Sequence, residues 1–194
     1  MYLIVGLGNP GGEYKDTRHN TGWRVIDLWS RDLGVKLTGG RFRSQCALAA
    51  FKDKDILLLL PETFMNLSGV AVKACADAYG FDIGNILVIH DDLDLPLGRL
   101  KITRGGGSGG HKGVQSIIEN LGDSRFPRLK IGIGRPHSEE TVEDYVLSPF
   151  ADDEKQMMER VLRLAVNACE WILLEGLENA MNQINSRNST NKEE

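Results

Sequence analysis

The sequence predicts an α/β fold: a single domain in which a mixed, twisted β-sheet is flanked by helices. Short apolar runs with the length of buried strands alternate along the chain with longer segments of helical periodicity. Two of these runs, CALAAF and ILLLL, are separated only by the charged stretch KDKD, which predicts a hairpin and therefore an antiparallel strand pair. The length of 194 residues suits one compact domain with a sizeable core.

The first half of the chain is expected to contribute four strands and two helices. Residues 2–5 (YLIV) form a buried strand, and residues 21–33 have helical spacing that Gly34 ends. The hairpin supplies the next two strands. Ser68 is expected to cap a helix that runs to about Tyr79 and stops at Gly80, and residues 85–90 (NILVIH) form another buried strand.

The second half is expected to contribute two strands and three helices. Residues 99–103 (RLKIT) form a strand, the loop RGGGSGG follows it, and a helix runs from about 112 to 120. In residues 128–134 (RLKIGIG), apolar side chains alternate as in a strand. Residues 152–174 are helical, and a further helix follows Gly176. We expect residues 1–186 to be one domain and residues 187–194 to be a disordered tail.

Composition excludes several classes of protein. The longest apolar run, residues 56–61, is too short to cross a bilayer, and Met1-Tyr2 leads straight into a strand without a signal peptide. Cys46, Cys75 and Cys169 are odd in number and widely spaced, so they predict neither a disulfide framework nor a metal cluster. We therefore expect a protein of the reducing cytoplasm with no membrane contact.

Positive charge is concentrated in one part of an acidic chain. The net charge is −4, yet residues 99–137 hold eight Lys or Arg against two acidic residues, Glu119 and Asp123. A positive face on an acidic body can steer a phosphate ligand to one place. The alternative is an ordinary solvated surface of mixed charge.

Three buried strands end in polar clusters, GLGNP, PETFMN and HDDLD. In open α/β sheets, ligands bind outside the carboxyl ends of the strands, so these clusters are expected to converge. The polar residues expected there are Asn9, Asn66 and the group His90-Asp91-Asp92, with His19 joining them from the loop after Asn9.

Each motif also has a plainer interpretation. GLGNPGG resembles a dinucleotide fingerprint, but no helix opens after its glycines, so it reads as a strand exit. HDDLD offers carboxylate oxygens to a divalent metal, but no spaced partner motif accompanies it. Ser108 matches the G-x-S-x-G nucleophile elbow of serine esterases, although Thr103, Arg104 and Gly105 stand between the motif and the last apolar residue of the strand. The same glycines would let a phosphate or peptide approach the backbone closely.

Taken together, the motifs resemble the bacterial peptidyl-tRNA hydrolase family. LIVGLGNPG, TRHNTG, TFMN, DDLDLPLG, GGHKG and RLKIGIGRP occur in the family's order, and the resemblance runs from about Tyr2 to Ala180. It implies hydrolysis of the ester between a peptide and the 3′ ribose of tRNA, which recycles tRNA from abortive translation. It further implies a monomer with a phosphorylase/hydrolase-like fold that binds the acceptor stem and 3′ end of peptidyl-tRNA without metal or cofactor.

The resemblance also implies roles for individual residues. His19 is the general base, Asp91 supports it, and Asn9 distinguishes blocked from free amino groups. Asn66 joins them in the catalytic group. The peptide and the 3′ end are bound by Tyr14, Phe64, Met65, Asn66, His111 and Lys112, with the loop carrying His111 moving over the cleft. The family usually has Asn where this chain has Lys112, which adds a charge and cannot accept a hydrogen bond.

These residue types suit ester hydrolysis. A neutral imidazole has a pKa of roughly 6.5, and a carboxylate on its other nitrogen fixes the tautomer. Asn66 can orient the water or bind the developing oxyanion. Sequence-independent contacts to the tRNA backbone are expected from Lys101, Arg104, Arg128 and Lys130. Two alternatives stay open: a non-catalytic RNA-binding relative of the same fold, and a serine esterase that uses Ser108.

Overall fold

The computed structural model describes residues 1–136 and 140–187. In that part of the chain, seven strands form one sheet: β1 (Tyr2–Gly6), β2 (Thr38–Arg41), β3 (Ser44–Phe51), β4 (Lys54–Pro61), β5 (Ile86–Asp92), β6 (Leu100–Arg104) and β7 (Pro127–Gly132). The helices are α1 (Thr21–Asp32), α2 (Ser68–Tyr79), α3 (Lys112–Leu121), α4 (Val142–Leu147), α5 (Asp152–Glu175) and α6 (Leu177–Arg187).

The sheet is mixed, as predicted. Its strand order is β2-β3-β4-β1-β5-β7-β6. The four central strands β4, β1, β5 and β7 are parallel, while β2, β3 and β6 run antiparallel to their neighbours. The carboxyl ends of the four parallel strands therefore meet at one edge of the sheet, where the polar clusters follow β1, β4 and β5.

Helices cover both faces of the sheet and divide the core into two clusters. Side chains such as Ile4, Leu58 and Ile89 pack against α1, α5 and α6, with Trp29 fully buried among them. Their sequence neighbours, such as Leu3 and Val88, pack against α2 and α3 on the other face. The near-continuous apolar runs of the central strands follow from this burial on both sides.

Close approach of α1 to the sheet requires glycine at two positions. A side chain at Gly22, in the first turn of α1, would overlap the backbone oxygen of Ile89 in β5. A side chain at Gly6, the last residue of β1, would in turn overlap the backbone of Gly22. The first turn of α1 is therefore held against the ends of β1 and β5, which brings the residues just before it to that edge of the sheet.

The structure departs from the predictions in a few places. Ser68 is the first residue of α2 and not its cap: its hydroxyl donates to the Met65 carbonyl. β2 was not predicted, because its sequence TGGR has no apolar alternation and every residue in it is exposed. α4 was not predicted either, since six residues are too few to show a helical period. The tail expected at 187–194 lies, from residue 188 on, outside the described residues.

A bilayer-spanning segment is not found: none of the helices within residues 1–136 and 140–187 combines the length and apolar character that a crossing needs.

Candidate active site

A cavity of about 510 Å³ opens at the carboxyl edge of the parallel strands. Its wall combines polar groups from the strand ends with apolar side chains from α4 and from the segment before α2. The predicted residues that line it are Asn9, Tyr14, His19, Phe64, Met65, Asn66, His90, Asp91, Asp92, His111 and Lys112. The convergence expected from the sequence is therefore present.

His19 is held in place by its immediate neighbours. It lies in a 3-10 turn, Arg18–Asn20, that leads directly into α1. The Asn20 side chain pairs with the backbone of Asn9, accepting from its N–H and donating to its C=O, each at 2.9 Å. The Arg18 guanidinium donates to Glu154 of α5 at 2.7 Å and stacks over Tyr145, 4.4 Å from the ring centroid. The turn is therefore fixed to β1 on one side and to α4 and α5 on the other.

The His19 imidazole contacts the carboxylate of Asp91, near the end of β5. Nδ1 lies 2.9 Å from both carboxylate oxygens, and Asp91 is only 2% exposed. Burial lowers the pKa of His19 and the Lys112 charge lowers it further, but the charge and hydrogen bond of Asp91 outweigh them and raise the pKa above its ordinary value. Burial raises the pKa of Asp91, but His19 and His111 hold it well below its usual range, so Asp91 is ionised.

His111 is a second imidazole on the same carboxylate. Its Nε2 lies 3.0 Å from Asp91 Oδ1, and its Nδ1 accepts from the backbone N–H groups of Gly113 and Val114, so that His111 is also the N-cap of α3. Burial lowers the pKa of His111, so the ring is neutral at pH 7. The sequence placed His111 in the site but gave no sign of its contact with Asp91.

His90 lies under this group. Its Nδ1 donates to the backbone oxygen of Asp91 at 2.6 Å, and its ring meets that of His111 edge-on with the centroids 4.8 Å apart. Nε2 is buried without a hydrogen-bond partner among the described residues. Burial and the charge of a protonated His111 hold the pKa of His90 well below its usual range, so His90 is neutral.

Asn9 presents one half of its amide to the cavity. Its Oδ1 accepts from the backbone N–H of Met65 at 2.8 Å, which fixes the orientation of the amide and leaves Nδ2 as a donor without a partner in the described chain. Asn66 is exposed in the cavity wall, one residue after the buried Met65. Phe64 is also exposed and adds apolar surface to the same wall.

Lys112 lies at the rim of the cavity. Its Nζ is 3.4 Å from Glu143 Oε2 in α4, and both side chains are largely exposed. Ser108 lines the cavity too, but no histidine in the described ranges hydrogen-bonds to its hydroxyl, and its backbone oxygen accepts from His111 N–H. The geometry of a serine nucleophile is therefore not present in that part of the chain.

Three side chains could be considered for a metal: His19, Asp91 and His111 place potential ligand atoms within 4.8 Å of one another. Their arrangement suits a hydrogen-bonded group better. Because His111 Nδ1 accepts two backbone hydrogen bonds, its Nε2 carries the proton and points it at Asp91, which is incompatible with metal binding at that atom. Asp92, from the same HDDLD motif, pairs with Lys130 at 2.9 Å.

The four predicted cationic residues do not form one group. Lys101 and Lys130 are cross-strand partners on β6 and β7, on the face that carries α2 and α3. Arg104 lies on the opposite face of β6 and pairs with Glu178 of α6 at 3.3 Å. Arg128 is 1% exposed; its guanidinium donates to the backbone oxygens of Gly106, Gly107 and Ser124, so it anchors the glycine loop and is not available to a phosphate. Strand alternation placed Arg128 beside Lys130 correctly, but could not show that the loop covers it.

Two functional contacts were missed at the sequence level. The Asn20 side chain holds the backbone of Asn9, and the Glu154 carboxylate holds the guanidinium of Arg18, the residue before His19. Asn20 lies inside the motif TRHN, so its proximity to His19 was a usable signal. Glu154 is 136 positions from Arg18, and no local pattern marks it.

Known proteins are similar to this chain in sequence and in fold over nearly its whole length. A family model described as peptidyl-tRNA hydrolase matches residues 3–193. The peptidyl-tRNA hydrolase of Moorella thermoacetica is 48% identical over 186 residues, covering 95% of this chain and 98% of that protein. That of Carboxydothermus hydrogenoformans is 44% identical over 185 residues, with 95% and 98% covered. The crystal structure of peptidyl-tRNA hydrolase from Acinetobacter baumannii matches with a TM-score of 0.90 at 36% identity, covering 95% of this chain and 94% of that one.

Proposed function

The chain belongs to the peptidyl-tRNA hydrolase family, and from that premise we propose that it hydrolyses the ester between peptide and tRNA with His19 as the general base. The observation that carries this proposal is the contact of His19 Nδ1 with Asp91 in the wall of the cavity. An ionised carboxylate favours the tautomer with the proton on Nδ1, which leaves the lone pair of Nε2 for a water molecule. Nε2 has no hydrogen-bond partner among the described residues, and His19 lines the cavity.

The reaction follows from this tautomer. Nε2 takes a proton from water as the water oxygen attacks the ester carbonyl, and Asp91 stabilises the imidazolium that forms. The protonated ring then gives the proton to the departing 3′ oxygen of the ribose. Asn66 is exposed in the cavity wall, and its amide can donate to the carbonyl oxygen as that oxygen gains charge. No intermediate covalently bonded to the enzyme is needed.

The cavity wall suits a peptidyl ester. The free Nδ2 of Asn9 can donate to the carbonyl of a blocked amino group, whereas a free ammonium offers only donors and would repel it. Phe64, Met65 and Tyr14, which all line the cavity, supply the surface for the peptide and the 3′ terminal nucleotide. Because the Asn9 amide contacts a backbone carbonyl of the peptide and not a side chain, the site can accept many peptide sequences.

The tRNA backbone is proposed to bind beside Lys101 and Lys130. These lysines are cross-strand neighbours, and Lys130 is joined through Asp92 to the cavity wall. Asp92 offsets part of the Lys130 charge, whereas Lys101 is exposed, and two neighbouring ammonium groups on one face would attract a phosphate. Arg104 is proposed only as a more distant contact, because it lies on the other face of the strand.

Cellular role and assembly complete the proposal. We infer a cytoplasmic monomer that recycles tRNA from stalled or abortive translation. The buried, free thiols of Cys46, Cys75 and Cys169 fit a reducing compartment. Every side chain proposed for the site comes from one chain, so the site needs no second copy.

The variant His19→Ala tests the activity against the alternative of a non-catalytic RNA binder. We expect tRNA affinity within about twofold of the wild type and turnover of N-acetyl-aminoacyl-tRNA lowered by roughly 10²–10⁴-fold. A wild-type protein that binds tRNA but leaves the ester intact would favour the binder. Turnover retained in His19→Ala, with Ser108→Ala inactive, would favour the serine esterase.

The variant Lys101→Ala tests the tRNA surface. We expect it to raise KM more than it lowers kcat, and to reduce the slope of log affinity against log salt by about one. Lys36→Ala is the matched control, because Lys36 is exposed and follows the C-terminal end of α1, away from the cavity. Equal salt slopes for the two variants would remove Lys101 from the tRNA surface.

A further inference from the structure

We propose that His111 is a positioning residue that sets the basicity of His19 by sharing the carboxylate of Asp91. This inference rests on the proposed role of His19. Its structural basis is one oxygen: Asp91 Oδ1 lies 2.9 Å from His19 Nδ1 and 3.0 Å from His111 Nε2. The two imidazole rings are tilted against each other with their centroids 4.8 Å apart. The Asp91 carboxylate is therefore shared between His19 and His111.

The backbone of α3 decides which proton His111 offers. Nδ1 accepts from the N–H groups of Gly113 and Val114, at 3.1 and 3.3 Å, so it carries no proton. In a neutral ring the proton is then on Nε2, and it points at Asp91. The start of the helix thus fixes His111 as a neutral donor.

This geometry gives His111 a role different from the substrate contact expected from the sequence. Both ring nitrogens are engaged, and only 7% of the side chain is exposed. What remains for the cavity is a ring edge without a free donor or acceptor. The side chains that can contact the reacting ester are therefore those of His19, Asn9 and Asn66.

A neutral second donor changes the basicity of His19 in a definite direction. The N–H dipole of His111 stabilises the negative charge of Asp91. The positive end of this dipole also points toward the Nδ1 proton of His19, which disfavours a positive charge on that ring. Less of the carboxylate charge then acts on His19, so the raised pKa of His19 is held closer to neutral. A general base works best when its pKa lies near the working pH, because a stronger base would already be protonated.

Other charged and titratable groups around the pair come from every adjoining element. Lys112 and Glu143 form an ion pair at the rim, His90 packs under His111, Asp92 pairs with Lys130 on β7, and Arg18 pairs with Glu154 behind the turn. Lys112 lowers the pKa of His19. The other ion pairs are internally neutral. His90 is uncharged and donates to the backbone oxygen of Asp91, whereas His111 donates to its carboxylate.

Two substitutions separate the roles of the two ring nitrogens. His111→Asn keeps a side-chain acceptor for the N–H groups of α3 but cannot reach Asp91. His111→Gln carries an amide N–H near the position of Nε2 but loses the cap. We expect the pKa of His19, followed by NMR of its ring signals in the full-length protein, to rise by about 0.5–1 pH unit in His111→Asn. In His111→Gln it should stay within about 0.3 pH unit of the wild type.

The acid limb of kcat/KM for N-acetyl-aminoacyl-tRNA should follow the NMR titration in both variants. A His19 pKa that is unchanged or lowered in His111→Asn overturns the proposal. His111→Ser, which also caps α3 and lacks the Asp91 contact, gives the same test if His111→Asn does not fold. If the His19 pKa shifts as expected but the wild-type protein does not hydrolyse N-acetyl-aminoacyl-tRNA, the proposed function is refuted and this inference stands.

Discussion

The Nδ1 atom of His19 lies 2.9 Å from both carboxylate oxygens of Asp91, although 72 positions separate the two residues in the chain. Their contact follows from the packing of α1. Glycines at positions 6 and 22 let the first turn of α1 approach β1 and β5, and Leu7 N–H donates to the Ile89 carbonyl at the same point. The residues on either side of this contact, the turn before α1 and the end of β5, are thereby brought together.

Replacing Asp91 with asparagine should abolish the correct tautomer while keeping the shape of the site. His111 Nε2 donates to the amide oxygen at the Oδ1 position, so the amide N–H₂ takes the Oδ2 position, 2.9 Å from His19 Nδ1. That donor favours the tautomer with the ring proton of His19 on Nε2. We expect kcat in Asp91→Asn to fall by roughly 10²–10⁴-fold with little change in KM, measured with N-acetyl-aminoacyl-tRNA.

Asp92→Asn is the matched control for that experiment. Asp92 is the next residue along β5, but it pairs with Lys130, and no hydrogen bond joins its side chain to an imidazole within residues 1–136 and 140–187. Its kcat should stay within about threefold of the wild type, since asparagine keeps the shape of the side chain and the partner that it weakens is Lys130, not His19. An Asp91→Asn enzyme that keeps more than about a tenth of wild-type kcat would contradict the role given to Asp91.

Asn9→Asp should weaken the preference for blocked amino groups. The aspartate can still accept from Met65 N–H, so the fold is kept, but the donor that faces the cavity is replaced by a negative charge. A free α-ammonium is attracted to that charge, whereas a peptide carbonyl loses its partner. We expect the ratio of kcat/KM for N-acetyl-aminoacyl-tRNA over aminoacyl-tRNA to fall at least about tenfold, which corresponds to about 1.4 kcal/mol. Asn179→Asp, on the exposed side of α6, should leave the ratio unchanged.

His90 should make the protein less stable in mild acid. The folded protein holds His90 neutral with a depressed pKa, whereas the unfolded chain takes up a proton near pH 6.5. The unfolded state therefore binds more protons below about pH 6.5, and this group lowers the free energy of unfolding by up to about 1.4 kcal/mol for each pH unit below that. The depressed pKa of His111 acts in the same direction, and the raised pKa of His19 in the opposite one.

His90→Asn isolates the contribution of this ring. The amide can still donate to the Asp91 carbonyl but does not titrate. Urea unfolding at pH 7.5 and 5.5 should show a stability difference between the two pH values that is smaller by about 1 kcal/mol in the variant. Equal differences in the variant and the wild type would show that His90 is protonated in the folded state as readily as in the unfolded one.

The sequence predicted the fold and most of the site because both depend on local patterns. The apolar runs of β1, β4 and β5 and the glycines at the ends of α1 and α2 marked the elements, and the motifs after each strand marked the cavity. Side-chain partners over long separations were not predictable in the same way. Nothing near Arg128 indicates that the glycines 21 and 22 positions earlier cover it, and nothing near His111 indicates which atom of Asp91 it contacts.

Arg128 should act as a structural anchor of the glycine loop. Arg128→Met removes three hydrogen bonds from a buried guanidinium to the carbonyls of Gly106, Gly107 and Ser124. We expect the free energy of unfolding to fall by about 2–3 kcal/mol and kcat to fall, because the loop leads into His111. Arg128→Lys should recover part of the stability. The salt dependence of tRNA binding should not change in either variant; a slope reduced by about one would return Arg128 to the phosphate-binding surface.

Lys112 and Glu143 should adjust the basicity of His19 in opposite directions. The Lys112 charge lowers the pKa of His19, and Glu143, 3.4 Å from its Nζ, offsets part of that charge. We expect the acid limb of kcat/KM to move up by about 0.2–0.4 pH unit in Lys112→Asn and down by a smaller amount in Glu143→Gln. Both side chains are largely exposed, so about 0.5 M salt should bring the three pH profiles together. Profiles that coincide at low salt, or that keep their separation at high salt, would rule out a long-range charge effect of this ion pair on His19.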